Sequence, residues 1–165
     1  MENADVEIRG FKASDLDDLQ EIRALAFAPV FRSFREIVGA SIADVALASL
    51  EAEQAELLAN ACKAKSPEQV FVGELDGAIV GFVSISLDQK NKTGEIGLNA
   101  VHPDHAGQGI GTRLYEFALG EMKAAGMEVA TVGVGGDPSH AAARRAYEKA
   151  GFGPAIPSLW MYRSL

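Results

Sequence analysis

Tyr147, Glu95 and the glycines at 107, 109 and 111 are the residues of this chain whose types and spacing could do chemistry. A phenol with a pKa of about 10 can hand its proton to a leaving group, so a tyrosine is a candidate general acid. A carboxylate whose proton affinity is raised by partial burial is a candidate general base near neutral pH, directly or through water. Alternating glycines that open a helix leave backbone N–H groups free at the positive end of the helix dipole, an arrangement that holds phosphate or pyrophosphate. Each feature also has a plainer reading. The tyrosine can pack on a sheet with a satisfied hydroxyl, the carboxylate can sit exposed at a strand end, and the glycines can merely let strand and helix approach.

These residues need a strand, a turn and a helix to carry them. Over 95–102 the side chains alternate, which predicts a strand with Glu95 and Asn99 on one face. Pro103 stops the ladder. After the glycines, Leu114, Phe117, Ala118 and Met122 recur at helical spacing and predict a helix. A nucleotide P-loop needs Lys and then Ser or Thr after its last glycine, yet Thr112 and Arg113 follow Gly111; the dinucleotide fingerprint needs a third glycine where Thr112 stands. Neither motif is met.

Around this segment, Val6, Ile8 and Phe11 suggest a first strand, Ser14 with Asp17 a capping box, and Leu16, Leu19, Ile22 and Leu25 a helix running to about Phe27, where Pro29 interrupts it. Residues 30–65 are rich in alanine and acidic groups, with Gly39 and Ser41 separating two helices. Phe27, Phe31 and Phe34 either line a substrate mouth or belong to the core, and Arg32 and Arg35 either hold an acidic acceptor or form a solvated face. Residues 70–75 and 78–87 flank Asp76–Gly77 as a hairpin, and a polar turn leads to the strand at 95. Beyond Gly126, residues 127–134 alternate as a strand. Asp137 and Pro138 open a helix that Gly151 ends, and 158–165, with Trp160 and Tyr162 on one face and Leu159 and Met161 on the other, suit a final strand. The order predicts an α/β fold (α+β in its strand pairing): a mixed, mostly antiparallel sheet flanked by helices, with ligands where neighbouring strands part.

A chain of 165 residues, 48% of them hydrophobic, fits one domain over 1–165. Its formal charge of −8 disfavours a nucleic-acid surface and mildly favours cationic small molecules. With Cys62 as the sole cysteine there is no internal disulfide and no paired-cysteine metal site, and the chain fits a reducing cytoplasm. The N-terminal letters lack the pattern of a secretory signal and no apolar run spans a bilayer, so a soluble protein without a membrane partner is expected. His102 and His105 flank Pro103 in a segment unsuited to a helix, and no metal is expected there. No Gly-x-Ser-x-Gly elbow is present.

VHPDHAGQGIGTRL, residues 101–114, resembles the acetyl-coenzyme A (acetyl-CoA) segment of the GNAT superfamily of N-acetyltransferases, written Gln/Arg-x-x-Gly-x-Gly/Ala, with Gly109 and Gly111 as its glycines and Ala106 at its leading position. Residues 140–152 resemble a second signature of that family, Asn-x-x-Ala-x-x-x-Tyr-x-x-x-Gly-Phe: Ala143, Tyr147, Gly151 and Phe152 match it, and His140 stands at the asparagine. The resemblance implies a sheet splayed open in its middle, with the pantetheine arm between the strand from Glu95 and the strand from Val129. It implies that the amides of Gln108, Gly109, Ile110, Gly111 and Thr112 hold the pyrophosphate, that His140 and Ala143 contribute to the coenzyme site, that an amide near Val101 stabilises the oxyanion, and that Tyr147 lies near the thioester sulfur. Glu95 is at a position where some members carry a glutamate base. The implied activity is transfer of an acetyl group from acetyl-CoA to a primary amine, of a small molecule or a protein, by direct attack in a ternary complex. The rival is a non-catalytic acyl-CoA sensor or interaction module, and a homodimer stays open.

Overall fold

The computed structural model describes residues 6–165. β1 (Glu7–Gly10) leads into α1 (Leu16–Val38), α2 (Ala40–Ala46) and α3 (Leu50–Ala61). Then come β2 (Gln69–Leu75), β3 (Ala78–Asp88), β4 (Thr93–Val101), α4 (Ile110–Ala124), β5 (Val129–Val132) and α5 (Ala141–Lys149). Among the described residues, five strands form one sheet in chain order, antiparallel from β1 to β4, with β5 parallel to β4. The hairpin between β2 and β3 turns on Asp76 and Gly77, both at positive φ, as a two-residue connection matched to strand twist requires.

Helices cover both faces. On one, Leu19 and Ile22 of α1 and Leu58 of α3 bury against Val70, Val72, Phe82 and Ala100. On the other, Leu114, Ala118 and Met122 of α4 and Tyr147 of α5 bury against Val83, Ile85 and Ile96. The stripe read at 114, 118 and 122 is the face that packs.

β4 carries a bulge that decides where its side chains point. Val83 of β3 faces Asn99, yet Ile85 faces Ile96, so Gly97 and Leu98 together oppose Ser84. One extra residue inverts the alternation. Ile96 and Asn99 therefore share the α4 and α5 face, while Glu95 joins Leu98 and Ala100 on the face covered by α1 and α3. This corrects the expectation that Glu95 and Asn99 lie on one face. A Cβ at Gly97 would stand 2.6 Å from Ser84 Oγ, so only glycine lets the two strands approach there.

Three other expectations change. α1 runs straight past Pro29. The proline removes one backbone hydrogen bond, but Val30 is buried beyond it and the Phe27 and Phe31 rings meet across it at 6.1 Å. The start of α1 is set by Asp15, whose carboxylate accepts the Lys12 amide at 2.8 Å and pairs with Arg9, so Ser14 and Asp17 form no capping box. Residues 158–165 form no strand: β5 leaves its outer edge unpaired, and Trp160 is 86% exposed. Alternation alone makes no strand without a neighbour to bond.

Candidate functional site

Past Ile96 the sheet opens. β5 pairs with β4 only from Thr93 to Ile96, and among the described residues β4 continues to Val101 with no strand on that side. The His102 amide donates to the Val80 carbonyl at 2.8 Å. In an antiparallel ladder bonded residues alternate with outward-facing ones, so the amides of Val101 and Asn99 turn away from β3, into the opening.

The turn after β4 ends at α4. Gly109 has φ +80 and caps the helix with no side-chain hydrogen bond, which leaves first-turn amides without a side-chain partner. A residue with a Cβ is strained at that φ. Ile110 is buried and anchors the start of the helix, while Gln108 is exposed and Thr112 half-buried beside it. A Cβ at Gly111 would meet nothing nearer than 3.8 Å, where Tyr115 Oη and Val101 Cγ2 lie. The space beside Gly111 is thus unfilled.

Tyr147 lies at the base of the opening, 6% exposed, with Ala143 half-buried on the same core one turn earlier. Its ring packs against Tyr115 at 4.6 Å between centroids and edge-on against Phe152. The Asn99 side-chain amide donates to Tyr147 Oη at 2.9 Å and accepts from Tyr115 Oη at 2.8 Å. Burial, and after it the neighbouring Tyr147, push the Tyr115 phenol well above its ordinary pKa. Tyr115 spans from Asn99 to the edge of Gly111 and so joins the two sequence signatures. Sequence reading passed over it, although it stands four residues after Gly111 and at helical spacing from Ala118 and Met122.

His140 faces the other way. Its Nδ1 is 2.6 Å from Asp137 Oδ1, and its ring stacks on Phe34 of α1. Asp137 also accepts from Ser33 of α1 at 3.0 Å and caps the turn into α5 through the Ser139 amide. Burial opposes ionisation of Asp137, but hydrogen bonds from Ser139, His140 and Ser33 outweigh it and bring the carboxyl down to about 2. Arg144 braces the preceding loop by donating to the Gly135 and Asp137 carbonyls.

Beside His140, between α1 and α3, is a cavity of about 280 Å³. Phe27, Phe31, Phe34 and Leu57 wall it, and Glu53 and Gln54 stand at its rim. The three phenylalanines therefore line a cavity. Arg35 pairs with Asp44 outside it and Arg32 is exposed. Glu95 is exposed on the sheet face that α1 and α3 cover, apart from Tyr147. Cys62 sits at the end of α3 with its thiol pushed up to about 11 by burial, which suits a packed rather than a reactive sulfur. Among the described residues no three His, Cys, Asp or Glu side chains gather as a metal site, and no helix is long and apolar enough to cross a membrane.

Known proteins share this architecture. A GNAT family acetyltransferase from Brucella melitensis, solved with acetyl-CoA, superposes at a TM-score of 0.62 with 21% identity, over 93% of this chain and 92% of that one. In sequence, a mycothiol acetyltransferase of Streptomyces coelicolor is 30% identical over 86 residues, 52% of this chain and 27% of that protein. An uncharacterized N-acetyltransferase of Archaeoglobus fulgidus is 37% identical over 76 residues, 43% of this chain and 52% of that protein. The chain thus spans less than a third of the length of the mycothiol acetyltransferases it matches. The model of the Acetyltransferase (GNAT) family matches residues 24–152, a span that takes in the glycine turn, Asn99, Tyr115 and Tyr147. A splayed sheet, an open glycine turn and a tyrosine between them are thus found inside one family match, and the chain belongs to the Acetyltransferase (GNAT) family.

Proposed function

We propose that this protein transfers an acetyl group from acetyl-CoA to the primary amine of an acceptor with an apolar body, by direct attack. The observation that carries the reading is that Tyr147 and the first turn of α4 flank one gap in the sheet, and Tyr115, one turn further along α4, stacks on Tyr147 at 4.6 Å between ring centroids.

The amides of residues 108–112 suit the coenzyme's pyrophosphate, with the helix dipole behind them. The Val101 amide, turned into the gap, is suited to receive the oxyanion, because a fixed backbone donor needs no reorganisation as charge develops. As the amine nitrogen bonds to the carbonyl carbon and the C–S bond breaks, the electron pair goes to sulfur and Tyr147 supplies the proton that makes the free thiol. His140 has its Nδ1 engaged by Asp137, so its remaining ring nitrogen is the one offered to the coenzyme or the acceptor. The cavity between α1 and α3 has aromatic walls, a modest volume and Glu53 at its rim, features that favour a compact cationic amine. Glu95 lies on that same sheet face and, being exposed rather than partly buried, would take the amine's proton through water.

Thiol release from acetyl-CoA across a panel of aliphatic, arylalkyl, amino-sugar and peptide amines tests this. Turnover is expected with compact apolar amines, and Tyr147→Phe is expected to lower kcat by about 10²-fold. Tight coenzyme binding without turnover on any amine would make the protein a non-catalytic acyl-CoA module instead. A melting temperature raised by a nucleotide and not by acetyl-CoA would overturn both readings.

A further inference from the structure

Tyr147 can serve as an acid only if its own proton is not already committed to a neighbour. We propose that Asn99, held in orientation by Tyr115 and by the Gly97 carbonyl, is a positioning residue that keeps the Tyr147 phenolic proton free for the departing sulfur. The proposal rests on the reading of Tyr147 as the acid.

A primary amide has an accepting end and a donating end, and its neighbours decide which way it faces. Asn99 Nδ2 has two hydrogens and uses both: one goes to the Gly97 carbonyl at 2.9 Å, the other to Tyr147 Oη at 2.9 Å. Its Oδ1 accepts from Tyr115 Oη at 2.8 Å. If the amide were flipped, Oδ1 would confront the Gly97 carbonyl, and two acceptors would meet with no hydrogen between them. The flipped amide would also draw a hydrogen bond from Tyr147 Oη and so consume the proton the reaction needs. Gly97 is half of the β4 bulge, so the irregularity that inverts the strand also supplies the carbonyl that forbids the flip. Tyr115 is 5% exposed and stays protonated, so it remains a donor to Oδ1. Tyr147 therefore accepts from Asn99, and its O–H faces the neutral Tyr115 hydroxyl, a weaker acceptor than the amide oxygen and one that can give the proton up to the departing sulfur.

In the reaction the new C–N bond forms as C–S breaks, the Tyr147 proton goes to sulfur, and the proton lost by the amine leaves to solvent or to Glu95 and is replaced on the phenolate from solvent. Acetyl-CoA and amine become amide and free thiol, with nothing else consumed.

A double-mutant cycle separates positioning from general structural damage. Tyr115→Phe and Asn99→Asp are each made in the natural protein and in Tyr147→Phe, and kcat and KM for acetyl-CoA are measured on the best amine. Asn99→Asp keeps the shape but has no hydrogen to give, so the Tyr147 proton would turn to it. In the natural background each change is expected to lower kcat by about tenfold with KM within about twofold; in Tyr147→Phe neither is expected to lower kcat further. Equal losses in both backgrounds would overturn the proposal. Should Asn99→Asp lower the melting temperature sharply, the Tyr115→Phe arm, which removes one hydroxyl, decides alone. If Tyr147→Phe keeps full turnover, the acid reading itself falls; if it loses turnover while Tyr115→Phe and Asn99→Asp keep theirs, only the positioning claim falls.

Discussion

At the scale of single residues, the two glycines of the α4 turn have different reasons to be glycine, and the reasons separate by measurement. Gly109 is at φ +80, so Gly109→Ala is expected to cost about 1–2 kcal/mol in stability before any ligand is considered. Gly111 is under no such constraint: a Cβ there meets only ordinary contacts. Gly111→Ala is therefore expected to hold or slightly raise the melting temperature, since a helix favours alanine over glycine, and to leave KM for acetyl-CoA within about twofold, since the family pattern admits alanine there. Thermal melts and initial rates on the two variants check this. Tyr147 and both glycines were legible in the sequence because each sits in a short local pattern. Asn99 and Tyr115 were not legible as partners, since they stand 16 residues apart and their meeting depends on the β4 bulge.

At the scale of elements, the structure depends on carboxylates that tie helices to the sheet and to each other. Hydrogen bonds from Arg9 hold the Asp15 carboxyl below its ordinary range despite burial, and Asp137 is brought down to about 2 while bridging α1 to the start of α5. A carboxyl whose pKa is lower folded than unfolded contributes stability that is full above its unfolded pKa of about 3.9 and is lost as pH falls through the folded value. The melting temperature is accordingly expected to hold above about pH 5 and to fall steeply toward about pH 2, with Asp137→Asn flattening part of that fall. A melting curve for Asp137→Asn parallel to the natural one would contradict this. The hairpin at Asp76–Gly77 was legible because a two-residue turn encodes its own geometry. The passage of α1 through Pro29 was not, because it rests on the burial of Val30 and on the Phe27 and Phe31 rings packing across the proline, which the letters alone do not show.

At the scale of the whole molecule, the sheet divides the chemistry between its two faces. α4, α5 and the open edge of β4 carry the turn, Tyr147 and Asn99; α1 and α3 carry the aromatic cavity, with Glu95 on their side of the sheet. The mixed sheet and its helical cover were legible, because strand order and glycine punctuation are written along the chain; the splay was implied only by the resemblance of residues 101–114 and 140–152 to the family signatures. The absent final strand was not, because residues 158–165 alternate like a strand and lack only a neighbour, which no local pattern reveals. The central claim is that the α4 turn and the end of β4 are two walls of a single acetyl-CoA site. Amide hydrogen exchange, compared with and without acetyl-CoA, tests it most directly. Slowed exchange is predicted at Ile110, Gly111 and Thr112 together with Val101 and Asn99. Protection confined to α1 and α3, or none at the α4 turn, would contradict it.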